Sequence, residues 1–74
     1  METAETKTIE IVVNGEPRRV PQGLNVLTLL KFLAIEASRV AVELDREIVR
    51  KTAWEATSIR PGARMEVVWF VGGG

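Results

Sequence analysis

Residues 64–74 read RMEVVWFVGGG. Successive side chains of an extended strand point to opposite faces, so Met65, Val67, Trp69 and Val71 share one face and Glu66, Val68 and Phe70 the other. One face can fill a core. The other still carries Val68 and Phe70 beside the exit of the chain, and exposed apolar side chains at such a place suggest a docking surface. Val68 and Phe70, with Val71 at the exit of the chain, are the candidate partner-binding residues. Three glycines follow at once. Glycine has no Cβ and takes almost any backbone conformation, so the tail Gly72, Gly73, Gly74 can thread a narrow passage in a partner. Its last chemical group is the α-carboxylate of Gly74, ionised at neutral pH. A carboxylate is a poor electrophile until it is activated, typically by adenylation. Three glycines alone would equally suit a frayed end or a linker. Linkers, however, more often contain serine or start after a polar residue, and these glycines follow a strand directly.

The rest of the chain supplies that strand's neighbours. Ile9, Ile11 and Val13 alternate with Thr8, Glu10 and Val12, the period of a half-buried strand. Asn14-Gly15 follows, the strongest short hairpin signal, because both residues tolerate positive φ. A second strand runs from Glu16 to Val20, and Pro17 suits an edge because proline donates nothing to a ladder. Pro21-Gln22-Gly23 breaks it. Asn25 reads as a helix N-cap. Val26, Leu29, Leu30 and Leu33 then form one helical stripe. Leu27 and Phe32 lie off the stripe, so the helix is expected to be covered on more than one side and to end near Glu36. Val40, Val42 and Leu44 mark a third strand, Asp45-Arg46-Glu47 a turn, and Ile48-Val49 a short fourth strand. Residues 50–60 show no period; Trp54 and Ile59 are their expected core anchors, and Trp69 is expected at the core edge. Residues 60–63, RPGA, turn the chain into the last strand.

Composition removes several kinds of chemistry. The 74 residues contain no cysteine and no histidine. Disulfides, thiolate metal sites, a cysteine nucleophile and the usual neutral-pH general base are absent with them. Glu43, Asp45 and Glu47 are too close together and too exposed to make a metal site without other ligands, so no metal and no bound cofactor are expected. Ten basic residues balance ten acidic ones, leaving no field to attract nucleic acid. No apolar run approaches the roughly 20 residues of a membrane span, and the start METAETK does not resemble a signal peptide. A cytoplasmic protein is the expectation, with residues 1–6 a disordered leader, 7–71 one domain and 72–74 a flexible tail. Arg18 and Arg19, like Lys31 and Lys51, read as solvated surface.

The order β-β-α-β-β-β leaves one helix to bury its stripe on a single mixed sheet, with the last strand central beside the first. The expected fold class is α+β, the ubiquitin-like β-grasp. The segments VNGEPRRVPQGLNVLTLLKFL, RVAVELDREIV, the Trp of KTAWEAT and RPGARMEVVWFVGGG resemble the sulfur carriers of thiamine biosynthesis, the ThiS family. The likeness covers about residues 9–74, departing from the family at Asp45-Arg46, where Asn-Gly is usual, and in its longer leader. It implies a carrier, not an enzyme. An E1-like adenylyltransferase of the ThiF type would use ATP to adenylate Gly74. Sulfur from a cysteine desulfurase would then replace AMP, giving a thiocarboxylate. Thiazole synthase, of the ThiG type, would take that sulfur. Alternatives are the small subunit of molybdopterin synthase, a ubiquitin-like protein modifier, and a binding module with inert glycines. The molybdopterin subunit usually carries proline before Gly-Gly, and this chain has none after Pro61.

Overall fold

Asn14 and Gly15 make the turn their sequence calls for, with φ of 50° and 83°. They join β1, Thr8–Val13, to β2, Glu16–Pro21, in antiparallel register, with Val13 opposite Glu16. These elements belong to a computed structural model that describes residues 7–71. The leader 1–6 and the glycines 72–74 lie outside the described residues. Ile9, Ile11 and Val13 are buried, as their alternation requires. Pro17 lies on β2, which is an edge strand, so its missing donor costs no interstrand bond on the outer side.

The helix α1, Val26–Phe32, starts at the expected cap. The Thr28 N–H donates to Asn25 Oδ1 at 2.8 Å, and the Asn25 N–H donates to Thr28 Oγ1 at 2.9 Å. This reciprocal pair is a capping box in which threonine takes the place of the usual glutamate. Val26, Leu29 and Leu30 are fully buried against the sheet, while Leu33 packs on the core only partly. Each complete side-chain burial of this kind contributes about 1.5–3 kcal/mol.

One reading of this helix is corrected and another holds in part. It stops at Phe32, a turn short of Glu36. Of the two residues off the stripe, Leu27 packs partly on the core while Phe32 is 53% exposed. The stop is made by Ala34, which takes φ 61° just after the Leu33 cap. The Ile35 N–H then reaches the Leu30 carbonyl at 2.9 Å and the Ala34 N–H the Lys31 carbonyl at 3.0 Å, the bond pair of a Schellman ending. Glycine is the common residue at that position, and here alanine occupies it.

A short 3-10 turn over Ala37–Arg39 leads into β3, Val40–Leu44. Asp45 and Arg46, at φ 50° and 74°, reverse the chain into β4, Glu47–Val49. Residues 50–60 form a second 3-10 turn and loops. Trp54 is buried there, and its Nε1–H donates to the Val49 carbonyl at 2.8 Å. Ile59 is buried too, and its N–H bonds the Leu24 carbonyl at 2.9 Å. Both are the anchors expected of them. The last strand, β5, Arg64–Trp69, occupies the middle of a five-stranded sheet ordered β2-β1-β5-β3-β4. It runs parallel to β1 and antiparallel to β3. The mixed sheet with one helix on one face is the ubiquitin-like β-grasp. No helix among the described residues is long and apolar enough to cross a membrane.

The two left-handed positions held by residues with ordinary side chains yield a test. Ala34→Gly and Arg46→Gly each remove a steric penalty of about 1 kcal/mol that glycine does not incur. Each is expected to raise the midpoint of urea unfolding without altering its slope; a lowered midpoint for either shows that the side chain outweighs the strain.

Candidate functional site

The site is the end of β5, and its geometry follows from how that strand is held. On one side β3 pairs with it from Leu44↔Met65 to Val40↔Trp69, and the Phe70 N–H continues the bonding to the Arg39 carbonyl at 2.9 Å. On the other side β1 pairs with it only at Val12↔Arg64 and Val13↔Met65. The Asn14 N–H adds a bond to the Met65 carbonyl at 2.8 Å. The chain then turns away into the hairpin, and the Asn14 side chain takes over. The Val67 N–H donates to Asn14 Oδ1 at 2.7 Å, and Asn14 Nδ2–H donates to the Val67 carbonyl at 3.3 Å. A primary amide presents one acceptor and two donors, so it can stand in for the next peptide unit of the departed strand. Among the described residues no strand pairs with β5 on this side beyond that point.

Asp45 performs a related task at the other end of β5. Its N–H donates to the Arg64 carbonyl at 2.8 Å, and its carboxylate accepts the Arg64 N–H at 3.0 Å. The substitution of Asp-Arg for Asn-Gly at this turn thus keeps the positive φ and an acceptor aimed at β5.

Along β5 the alternation expected from sequence is present, but the core ends early. Met65 and Val67 are buried, while Trp69, on the same face, is 48% exposed. Val68 and Phe70 are each 60% exposed on the opposite face, and Val71 is 95% exposed. The three candidate docking residues therefore stand in solvent where the strand leaves the sheet. The glycines 72–74 lie outside the described residues. One apolar neighbour was not singled out from sequence. Ile48 is 76% exposed and sits opposite Glu43 in the β3–β4 register, on the helix-free face with Val68. Its signal was there in the alternation, since a residue paired with solvent-facing Glu43 must also face solvent. Arg46, Arg64 and Glu66 line the same shallow groove, which holds both signs of charge.

Among the described residues no three acidic side chains gather as a metal ion would need. Lys51 Nζ lies 5.6 Å from the centroid of the Trp54 ring, a surface cation–π contact. Arg19 pairs with Glu10 at 3.7 Å, and both are well exposed, so the pair contributes little.

The fold and the strand end define a β-grasp domain whose last described residue, Val71, stands in solvent past the end of the central strand. The family model of ThiS matches residues 7–74, and the chain belongs to the ThiS family. Its fold matches the crystal structure of the thiamine biosynthesis protein ThiS from Geobacter metallireducens with a TM-score of 0.80 and 38% identity, covering 89% of this chain and 100% of that one. A thiazole synthase from Paramagnetospirillum magneticum is 36% identical over 66 residues, 89% of this chain but 20% of that protein. The chain thus spans about a fifth of the length of that relative. The uncharacterized protein ycf40 of Porphyra purpurea is 31% identical over 68 residues, covering 92% of this chain and 96% of that protein.

The two halves of β5 should respond differently to truncation. Met65→Ala is expected to lose about 2–5 kcal/mol of unfolding free energy, because the side chain is fully buried. Val68→Ser and Phe70→Ser should each stay within about 0.5 kcal/mol of the parent chain. Chemical denaturation of the three variants decides it, and a large loss at Val68 or Phe70 would assign those residues to the core.

Proposed function

We propose that this chain is a sulfur carrier of thiamine biosynthesis, acting in the cytoplasm, and that its reagent is the C-terminal carboxylate of Gly74. A carboxylate oxygen attacks the α-phosphorus of ATP on an E1-like adenylyltransferase of the ThiF type. Pyrophosphate leaves and an acyl-adenylate forms. Sulfur at the oxidation level of sulfide, released by thiol reduction of a cysteine desulfurase persulfide, displaces AMP. The product is a thiocarboxylate, which thiazole synthase draws on for its ring. The chain needs no catalytic side chain for this cycle, because each bond is made in a partner's site. Attachment to a protein keeps the sulfur from diffusing away and raises its effective concentration at the acceptor.

The observation that carries the reading is the way β5 ends. The strand is bonded on the β3 side as far as Phe70, after which Val71 stands in solvent. A rigid base followed by glycines is what delivery into a partner's narrow site requires. The family match extends through those glycines, and a thiazole synthase carries a segment similar to this chain, which supports the synthase as recipient. Val68, Phe70 and Val71, with Ile48 on the same open sheet, are proposed as the surface on which the partners dock. Apolar residues there bind by leaving water, at about 25 cal/mol per Å² buried.

The test is intact-mass analysis after incubation with the adenylyltransferase, ATP, cysteine and the desulfurase. The expected result is exchange of one oxygen for sulfur at Gly74 and rescue of a thiazole auxotroph. A variant lacking Gly74 should unfold at the same urea concentration as the parent yet accept no sulfur. No mass change with any cognate partner set, or rescue confined to a molybdopterin mutant, rejects the assignment.

A further inference from the structure

We propose that Asn14 is a self-modification site held in check by the fold, whose conversion releases one edge of the central strand. Asn14 precedes Gly15, a residue with no side chain to shield its backbone nitrogen. In an open chain that nitrogen attacks Asn14 Cγ. The new N–C bond closes a five-membered succinimide, the Cγ–Nδ2 bond breaks, and Nδ2 leaves as ammonia with the proton lost by the Gly15 nitrogen. Water then opens either carbonyl of the ring, adding hydroxyl to carbon and a proton to nitrogen. The products are aspartate or isoaspartate, and no enzyme or oxidant is needed.

Asn14 is solvent-exposed, so exposure alone would let this proceed at the rate of a free peptide. The geometry opposes it. Asn14 Oδ1 accepts from the Val67 N–H at 2.7 Å and Nδ2–H donates to the Val67 carbonyl at 3.3 Å, which pins the amide to β5, across 53 residues of sequence. To meet the Gly15 nitrogen, the side chain must rotate away and break both bonds. Modification is therefore confined to molecules in which the Asn14–Val67 contact has opened.

Conversion is also one-way in its effect. A carboxylate accepts hydrogen bonds but cannot donate, so it keeps a partner for the Val67 N–H and turns a second oxygen toward the Val67 carbonyl. Isoaspartate further lengthens the backbone within the tight turn and shifts the β1–β2 register. Either product weakens the hold on β5 on the side that β1 no longer covers, just before the residues that lead to the tail. The converted chain then opens more readily at this contact.

The experiment compares three samples at mildly alkaline pH: the folded full chain, the same chain in concentrated urea, and the peptide VVNGEP of residues 12–17. Peptide mapping of the mass change at Asn14 follows the reaction. The urea-unfolded chain and the peptide are expected to convert at similar rates, and the folded chain at a rate lower by about tenfold or more. Separately, Asn14→Asp is expected to unfold at a lower urea concentration than the parent. Equal rates in the folded chain and the peptide, or an unchanged midpoint for Asn14→Asp, overturns the proposal. The rate comparison needs no variant, so it stands even where Asn14→Asp does not fold.

Discussion

The amide of Asn14 against the backbone of Val67 is the contact on which the arrangement of this domain turns. A β-grasp sheet sets its last strand between the first and the third. Yet the first strand must also reverse into a hairpin, so it abandons β5 after two paired positions. A central strand left open on one side would expose polar backbone groups at the heart of the sheet, and buried groups of that kind demand partners. Asparagine meets both needs at one position. It tolerates the positive φ of the turn, and its side chain repeats the donor and acceptor of a peptide. Glycine would satisfy only the first need, and glutamine would sit poorly in the left-handed region. Aspartate would satisfy the turn and half of the bonding, as Asp45 does with Arg64 at the opposite end of the same strand.

With β5 fixed between its neighbours, the lengths of the elements decide where the core stops. The helix has seven residues and so extends about 10 Å. β5 has six and extends about 20 Å. A helix that short spans only part of the strand's length; Met65 and Val67 are buried in the core and Trp69 is left half exposed. The strand is thereby divided. Met65 and Val67 are bound by burial, and the strand beyond them rests on backbone bonds to β3. Side chains in the second half bury little, so their chemistry can be set by what they contact outside the domain without disturbing what holds it together. A small protein has little stability to spare, and separating the two roles along one strand protects it.

Most of this was legible in the sequence because it is local. Strand alternation, the Asn14-Gly15 hairpin and the Asn25 cap each follow from a few adjacent residues, and each appears where those residues put it. The helix end was not legible. Its stop relies on Ala34 in a conformation that glycine usually signals, and alanine carries no such mark. Trp69 was expected at the core edge, and its half exposure agrees. Alternation correctly gives its face, but exposure on that face depends on how far the helix reaches. The second role of Asn14 was hidden by distance. Its turn chemistry is written in the next residue, but its partner lies 53 positions away, and nothing near Asn14 names Val67. At the site itself, the exposure of Val68 and Phe70 could be read from the alternation of a single strand, and that of Val71 follows from its place past the strand's end. Ile48 joins them only once the register with Glu43 is known.

Among the described residues four other than glycine adopt positive φ: Asn14, Ala34, Asp45 and Arg46. Such positions are uncommon, and each carries a steric cost. Three of them are offset within the domain. Asn14 and Asp45 bond the two ends of β5 through their side chains, and Ala34 completes the paired bonds that close the helix. Arg46 is different. Among the described residues its side chain makes no hydrogen bond or ion pair, and glycine would form the same turn with less strain. The fold therefore does not require arginine there. Its side chain lines the groove on the helix-free face beside Ile48 and Val68, so of these four the residue without an internal compensation borders the apolar surface proposed for partner docking. Strain kept without a structural return belongs with function more often than with folding, and here it lies on the side of the sheet that the core leaves unused.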